Sequence, residues 1–283
     1  MYKQNGISRR TALALCALVA VGTLATPGFA AESKKRVVVW SEGTAQLDKV
    51  YTNDVNTAIA EGLKPLEAEG WEIIIANLND PDQGVSDERL NGTDVLIWWG
   101  HKKHGEVKSA LVEKIAKRVR DDGMGFIAVH SSHFAKPYQK LMSFVDVKQE
   151  FKIDGMTGKT AEELRKMRTI CSWREYKADG TSAKVIVKEP NHPIAKGVKD
   201  FDLPKIERYG EPYAVPTPEA VVLDGVYTKP NGTTEPGRMG LCWTVGKGKV
   251  FYFTPGHETY RDFWMPEVKQ IFLNAVPWAA TVK

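Results

Sequence analysis

Four of the six histidines of this chain lie in two short motifs of the same form. The stretch "IWWGHKKH" ends in His101 and His104, and "GFIAVHSSHF" contains His130 and His133. Each motif places two imidazoles three residues apart, directly after an apolar run typical of a buried strand. Residues three apart are neighbours on one side of a helical turn, so each pair could bind a divalent metal or let one histidine orient the other.

Other residues capable of chemistry follow other predicted strands. Glu42 comes after the first strand, and His257 and Glu258 come after the late apolar run "KVFYFTPG". In open α/β sheets, ligands bind beyond the carboxyl ends of the strands. Five of the six histidines fall at these ends, so the sequence predicts a functional site at this edge of the sheet. The sixth, His192 in "PNHPIAKGV", is predicted to be structural.

His130 occupies the sharp turn after a buried strand, where α/β hydrolases hold a nucleophile. We predict that it acts as a general base or a metal ligand, with Ser131 or Ser132 as a less favoured nucleophile. Zinc takes three or four nitrogen, oxygen or sulfur ligands. We therefore predict a divalent metal, with zinc favoured, on His104, His133 and His130. The alternative left open is that the imidazoles bind a sugar and no metal.

Two glutamates alternate with tyrosines in "IERYGEPYAV". The segment could be an exposed strand edge, or its carboxylates could do acid–base work or bind sugar hydroxyls. Of the two carboxylates we favour Glu211 over Glu207 for catalysis. The predicted catalytic residues are His130, His257 and Glu211, and the predicted substrate-binding residues are Glu42, His101, Tyr209 and Glu258.

Hydrophobic periodicity predicts strands that alternate with helices. The predicted helices cover residues 53–69, 106–123 and 266–280, and the predicted strands cover residues 35–40, 71–78, 94–99, 125–129, 183–188, 220–228, 240–245 and 249–256. This alternation predicts one α/β domain, residues 31–283, with helices on both faces of a parallel sheet. The polar segment from Phe144 to Arg168, with a short helix from Ala161 to Met167, is predicted to be a lid or a partner surface.

The first thirty residues have the layout of an export signal, with a basic start, an apolar stretch and a small-residue end at Ala30. Arg9 and Arg10 favour a twin-arginine signal over an ordinary secretory one. We therefore expect a periplasmic or secreted protein. The apolar stretch is shorter than the ~20 residues that a membrane span needs, so no stable membrane insertion is expected after cleavage.

Charge and cysteine content exclude several classes of protein. The chain has 39 basic and 35 acidic residues, and cleavage of a signal with three basic residues leaves 36 against 35. Nothing in this balance favours nucleic acid as a partner. Cys171 and Cys242 are too few for a disulfide framework and are expected to stay unpaired. A homo-oligomer is left open.

The chain resembles the ThuA-like, or trehalose-utilisation, family from residue 37 to residue 280. The strings that carry the resemblance are "VVVWSE", "DVLIWWGHKKHGEV", "GMGFIAVHSSHFAK", "SWREY", "NHPIAKGV", "ERYGEPYAVP", "GKGKVFYFTPGHETY" and "NAVPWAA". The resemblance implies a flavodoxin-like, class I glutamine amidotransferase-like three-layer α/β sandwich with a mainly parallel sheet. In that superfamily a nucleophile at the strand-to-helix elbow works with a late His–Glu pair, which "PGHE" matches. His130 stands at the elbow where a cysteine would be, so glutamine hydrolysis by a thiol is not expected.

The family name implies disaccharide catabolism. The resemblance and the His/Glu cluster together lead us to expect an exported, metal-assisted acid–base enzyme that acts on a small-molecule sugar, either a glycoside or a 3-keto-glycoside. A carbonyl at the third carbon acidifies the neighbouring C–H bond, so one base and one acid could eliminate the aglycone, with a metal or an imidazolium stabilising the enolate. The alternative is a non-catalytic carbohydrate-binding or accessory protein on the same fold.

Overall fold

A computed structural model of the chain describes residue 1, residues 34–145 and residues 170–280. The described residues from Lys34 onward belong to one compact unit. The predicted signal and nearly all of the segment from Phe144 to Arg168, with its predicted short helix, lie outside the described residues. No helix in the described ranges is long and apolar enough to cross a membrane.

Eleven strands and five α-helices are described between residues 34 and 280. The helices are α1 (Val55–Leu63), α2 (Asp87–Asn91), α3 (Ser109–Asp122), α4 (Lys136–Met142) and α5 (Pro266–Ala279). The strands are β1 (Lys35–Ser41), β2 (Trp71–Asn77), β3 (Val95–Trp99), β4 (Gly125–Val129), β5 (Ser172–Lys177), β6 (Ser182–Val187), β7 (Phe201–Leu203), β8 (Arg208–Ala214), β9 (Ala220–Thr228), β10 (Thr234–Val245) and β11 (Gly248–Phe253).

Nine of these strands form one sheet in the order β2-β1-β3-β4-β11-β10-β9-β6-β7. The first five in this order are parallel, and the sheet continues from β11 through antiparallel pairs. The parallel part has the order of a flavodoxin-like fold, with β11 in the place of the fifth strand. Strands β5 and β8 form a separate antiparallel pair.

Two apolar cores cover the two faces of the sheet. On β1, Val37 and Val39 face one core with α1 and α5, while Val38 and Trp40 face the other core with α3 and α4. Successive strand residues point to opposite faces, so a continuous apolar run is buried on both sides. Helix α3 buries one apolar stripe and ends at Gly123, whose φ of +85° suits a helix C-terminus. The molecule therefore has three layers.

The predicted α/β class with a large, mostly parallel sheet is confirmed, and several details differ. The helix predicted over residues 53–69 ends at Leu63 and continues as a 3₁₀ helix, Lys64–Glu69, because Pro65 lacks the N–H that an α-helix needs there. Strands β5, β7 and β8 and helices α2 and α4 were not predicted, since they are short or weakly patterned. Both described cysteines are buried and unpaired.

Candidate functional site

Four side chains converge beyond the carboxyl ends of the parallel strands. They are His101 after β3, His130 after β4, His257 after β11, and Glu207, which comes directly before β8. One ligand atom from each lies within 4.8 Å of the others. The three imidazole rings contact each other edge to face, with centroids 5.0–5.6 Å apart.

His130 is fully buried and adopts a φ of +55°. This left-handed conformation is uncommon outside glycine and is typical of strained functional turns. The ring nitrogen Nδ1 lies 3.0 Å from the carbonyl oxygen of Thr254, and Nε2 lies 3.0 Å from a carboxylate oxygen of Glu207. A carbonyl oxygen only accepts hydrogen bonds, so Nδ1 carries a proton. Nε2 faces the Glu207 carboxylate, where it can either carry a second proton or bind a metal.

His101 is oriented in a similar way by a different acceptor. Its Nδ1 lies 2.7 Å from the carboxylate of Glu258, whose side chain is 1% exposed and also pairs with the Lys102 ammonium at 2.8 Å. Burial opposes ionisation of Glu258, but the hydrogen bonds from His101 and Lys102 hold its pKa below the ordinary value. Because Nδ1 donates to this carboxylate, the Nε2 of His101 is free to bind a ligand.

His257 is held in the opposite tautomer. Its Nδ1 accepts the backbone N–H of Thr259 at 3.2 Å and lies 2.8 Å from the Thr259 hydroxyl. In the resting neutral ring the proton is therefore on Nε2. Burial, followed by the neighbouring His130, lowers the pKa of His257 to about 4, so the ring is neutral at pH 7.

The loop that carries His257 is fixed from both sides. The backbone N–H of Gly256 donates to the buried carboxyl of Asp262 at 2.9 Å, and its carbonyl accepts the indole N–H of Trp99 at 3.0 Å. Gly256 has a φ of +116°, and a Cβ there would lie 2.5 Å from the ring of Phe263. A glycine is therefore required for this loop to present His257 to the cluster.

Glu207 is the acidic member of the cluster. Burial alone would raise its pKa, but the hydrogen bond from His130 and the surrounding histidines hold the pKa at about 2. The hydroxyl of Tyr209 donates to the same carboxylate at 3.1 Å and lies 2.9 Å from the Ser131 hydroxyl. Tyr209 is 1% exposed, so it positions Glu207 and does not line an open surface.

The donor set fits a divalent metal. In a tetrahedral site, two ligand atoms bound at about 2.1 Å lie about 3.4 Å apart, so a pair 4.8 Å apart in the cluster must approach by about 1.4 Å. Imidazole nitrogens with a carboxylate oxygen are ordinary ligands for zinc and related ions. Two ionised carboxylates, Glu207 and Glu258, balance the charge of such an ion. The His/Glu cluster can therefore hold a metal, and its identity is not defined by these ligands.

The other predicted metal and substrate residues on this edge lie beside the cluster. The Glu42 carboxylate accepts the backbone N–H groups of Lys102 and Lys103 at 2.6 and 2.9 Å, so it fixes the loop that carries His101. His104 and His133 are not members of the four-residue group. His133 is 1% exposed, and its Nδ1 lies 3.1 Å from the Tyr252 hydroxyl.

The remaining candidates lie away from the cluster or have other partners. Glu211 forms a two-point ion pair with Arg238, with N–O distances of 2.7 and 2.9 Å. Ser132 donates to the carbonyl of Trp98, and the ring of His192 accepts the N–H of Ile194 as a helix cap. Sequence reasoning preferred Glu211 to Glu207, and the structure brings Glu207 and not Glu211 to the histidines.

Comparison with known families identifies the chain. The family model for trehalose utilisation, ThuA, matches residues 36–279. The protein belongs to the ThuA family. The match covers almost all the described residues, so every member of the cluster lies within the ThuA region. A comparison with curated protein sequences gave no significant match.

Two solved structures with TM-scores above 0.5 have a similar fold at low sequence identity. A putative ThuA-like protein from Parabacteroides merdae is 12% identical, with a TM-score of 0.56 over 88% of this chain and 90% of that one. A cytoplasmic protein from Salmonella typhimurium is 15% identical, with a TM-score of 0.53 over 87% of this chain and 98% of that one. The glutaminase domain of a CTP synthase from Trypanosoma brucei is 14% identical, with a TM-score of 0.47 over 87% of this chain and 94% of that one.

Proposed function

We propose that this ThuA protein is an exported, metal-assisted acid–base enzyme that acts on a glycoside or 3-keto-glycoside. The observation that carries the proposal is the pattern of ring nitrogens in the cluster. His101 and His130 each donate from Nδ1 to a fixed acceptor, which leaves the Nε2 of both rings to bind a ligand, and the Nε2 of His130 faces the carboxylate of Glu207. His257 alone accepts at Nδ1 and keeps its proton on Nε2.

This pattern divides the cluster into two parts. His101, His130 and Glu207 supply two nitrogens and one oxygen, which is the ligand set of several catalytic zinc sites and leaves a position open for substrate or water. These three residues would hold a divalent ion, whose positive charge would stabilise an oxyanion on a bound sugar. His257 is the residue that transfers the proton in this proposal. Its side chain and that of His101 are 11% and 18% exposed, so substrate approaches on their side.

The reaction class that suits this site is removal of a proton next to a carbonyl. In a 3-keto-glycoside, loss of the proton from the second carbon gives an enolate, whose electron pair then expels the aglycone from the first carbon. This reaction needs His257 in the tautomer opposite to the resting one: Nδ1 carries the proton and donates it to the Thr259 hydroxyl, in place of accepting the Thr259 backbone N–H. In that tautomer Nε2 removes the proton from carbon and returns it to the departing oxygen.

The test is metal content together with turnover. We expect the purified chain to hold about one divalent ion, and the His130→Ala and Glu207→Gln variants to lose it. His192→Ala is the matched control, because it removes a histidine that lies outside the cluster. Elemental analysis and release of aglycone from 3-keto-glucosides measure the two properties. His257→Ala is expected to keep the ion and lose turnover.

The outcomes separate enzyme from binding protein. Sugar binding without turnover across glycosides and 3-keto-glycosides would favour a non-catalytic carbohydrate-binding protein. A wild-type chain that takes up no divalent ion after gentle purification or on titration would refute the metal-assisted mechanism.

A further inference from the structure

The two edges of the nine-stranded sheet differ in how they are protected. One edge is β7, which has three residues and an exposed aspartate, Asp202, at its centre. The other edge is β2, which has seven residues and pairs with β1 without a break in register. Natural sheets protect their edges with short strands, charged side chains, prolines or bulges. Strand β7 has two of these features, and residues 73–75 of β2 have none.

Part of the β2 backbone points away from the sheet. The N–H and C=O of one strand residue point to the same side, and the side alternates along the chain. Leu78, directly after β2, donates its N–H to β1, so the even-numbered residues of β2 bond to β1 and the odd-numbered ones point outward. Asn77 follows this pattern, because its outward N–H and C=O both bond to Asp80. Within the described ranges, the outward groups of Ile73 and Ile75 have no hydrogen-bond partner.

The side chains at this edge are apolar on both faces of the sheet. Ile75 is 43% exposed, and Ile73 and Ile74 are partly buried, one against each core. The nearest charge on the strand, Glu72, is already paired with Arg36 on β1 at 2.7 Å. The edge therefore combines apolar surface and unpaired backbone groups with little charge to repel a second strand.

We propose that β2 pairs with β2 of a second copy of this chain, antiparallel and about a two-fold axis at Ile74. In this register Ile73 lies opposite Ile75 of the partner subunit, and every outward group of both residues gains a hydrogen bond. The directly opposed side chains beside the axis are all isoleucines. Glu72 lies opposite Ala76, so no like charges meet. A surface that is complementary to itself is what a closed two-fold dimer requires.

Neighbouring registers suit the strand less well. An axis at Ile73 would place Ile74 opposite the charged Glu72. An axis at Ile75 would place Ile73 opposite Asn77, whose outward backbone groups are already bonded. Antiparallel pairing also turns the carboxyl ends of the two parallel sheets in opposite directions, so the two His/Glu clusters face away from each other. The dimer therefore goes beyond the proposed function and does not depend on it.

The test is the mass of the chain in solution, measured by analytical ultracentrifugation at micromolar to submillimolar concentration. We expect a reversible equilibrium between monomer and dimer. Ile75→Ala is expected to weaken the dimer about 2- to 30-fold, since each dimer loses two Ile–Ile pairs. Ile75→Lys places a charge on the edge and is expected to be monomeric. Tyr176→Lys is the matched control, because Tyr176 is 58% exposed on β5 in the other sheet, and it is expected to dimerise as the wild type does.

Disulfide cross-linking tests the register. Ile74→Cys places two thiols at the axis, in a non-hydrogen-bonded pair with Cα atoms about 4.5 Å apart, which a disulfide can span. Ile75→Cys places its thiols at diagonal positions about 7–8 Å apart, which is too far. We therefore expect mild oxidation to cross-link the first variant and not the second. The wild type, with its own cysteines, gives the background.

Three results would overturn the dimer. The first is a wild type that stays monomeric at submillimolar concentration, whether the edge is then covered by another protein or left free. The second is an Ile75→Lys variant, folded by circular dichroism, that dimerises as tightly as the wild type. The third is cross-linking of Ile75→Cys without cross-linking of Ile74→Cys. Metal content and turnover in Ile75→Lys are expected to equal those of the wild type, so failure of the proposed function leaves these results unaffected.

Discussion

Replacement of Glu258 by glutamine tests how the cluster is organised. The carboxylate is buried, receives the Nδ1 proton of His101 at 2.7 Å, and lies 3.6 Å from the Nδ1 of His257. Glutamine keeps an oxygen acceptor but removes the charge that makes the imidazole a better ligand. Changes of this kind typically cost 10- to 100-fold in metal affinity, or about 1.4–2.7 kcal/mol. The lost pairing with Lys102 adds little, since that side chain is half exposed.

The measurement is a competition titration with a chromogenic zinc chelator at pH 7. Glu211→Gln is the control, because it also converts an ion-paired carboxylate to an amide, but next to Arg238 and outside the cluster. We expect less than about a twofold change in zinc affinity for the control. Equal affinities for Glu258→Gln and the wild type would refute the role given to the His101–Glu258 pair, as would an equal loss in Glu211→Gln.

Three further predictions concern stability and the loops around the site. Burial lowers the pKa of His133 to about 3, against 6.5 in the unfolded chain, so the neutral ring stabilises the fold above pH 6.5 and this stability is lost as the pH falls. Between pH 7 and pH 5 the free energy of unfolding, measured with urea, should therefore fall by about 2 kcal/mol less in His133→Gln than in the wild type. Gly256→Ala should cost about 1–3 kcal/mol more than Gly232→Ala, because both have positive φ but only the first meets another side chain; equal costs in thermal unfolding would contradict the packing argument. Glu42→Ala should lower zinc affinity although His101 itself is unchanged, because the backbone N–H groups of Lys102 and Lys103 lose the carboxylate that accepts their hydrogen bonds. Limited proteolysis should show faster cleavage in this loop, and an unchanged cleavage rate would argue against this role of Glu42.

The sequence predicted which histidines lie at the edge of the sheet, because one rule applies to all three of them. His101, His130 and His257 each follow a continuous apolar strand, and parallel strands end at a common edge. The alternation of strands with helices predicted that the first four of these strands are parallel, but it does not determine their order in the sheet or the place of β11. The sequence does not predict which ring nitrogen of each histidine faces the site. That choice depends on contacts with Thr254, Glu258 and Thr259, which only the tertiary structure brings about.

The rule that site residues follow the carboxyl ends of parallel strands does not find Glu207. This residue precedes a strand of the small β5–β8 sheet. Glu207 and Glu211 have similar sequence surroundings. They differ in the structure because Glu211 forms an ion pair with Arg238 on β10, outside the cluster. Tyr209, predicted to bind substrate, is buried under Glu207 because Trp173 stacks over it at 5.6 Å.

The position of β11 makes the cluster a late product of folding. Strand β11 lies between β4 and β10, and its pairing with β4 joins segments more than a hundred residues apart in the chain. Such non-local pairing forms slowly, since a long loop must close first. Because His257 follows β11, the site of a folding chain is incomplete until β11 has joined the sheet. An ion held by the cluster would then stabilise only the finished fold, by about 2.7 kcal/mol at a hundred times the dissociation constant.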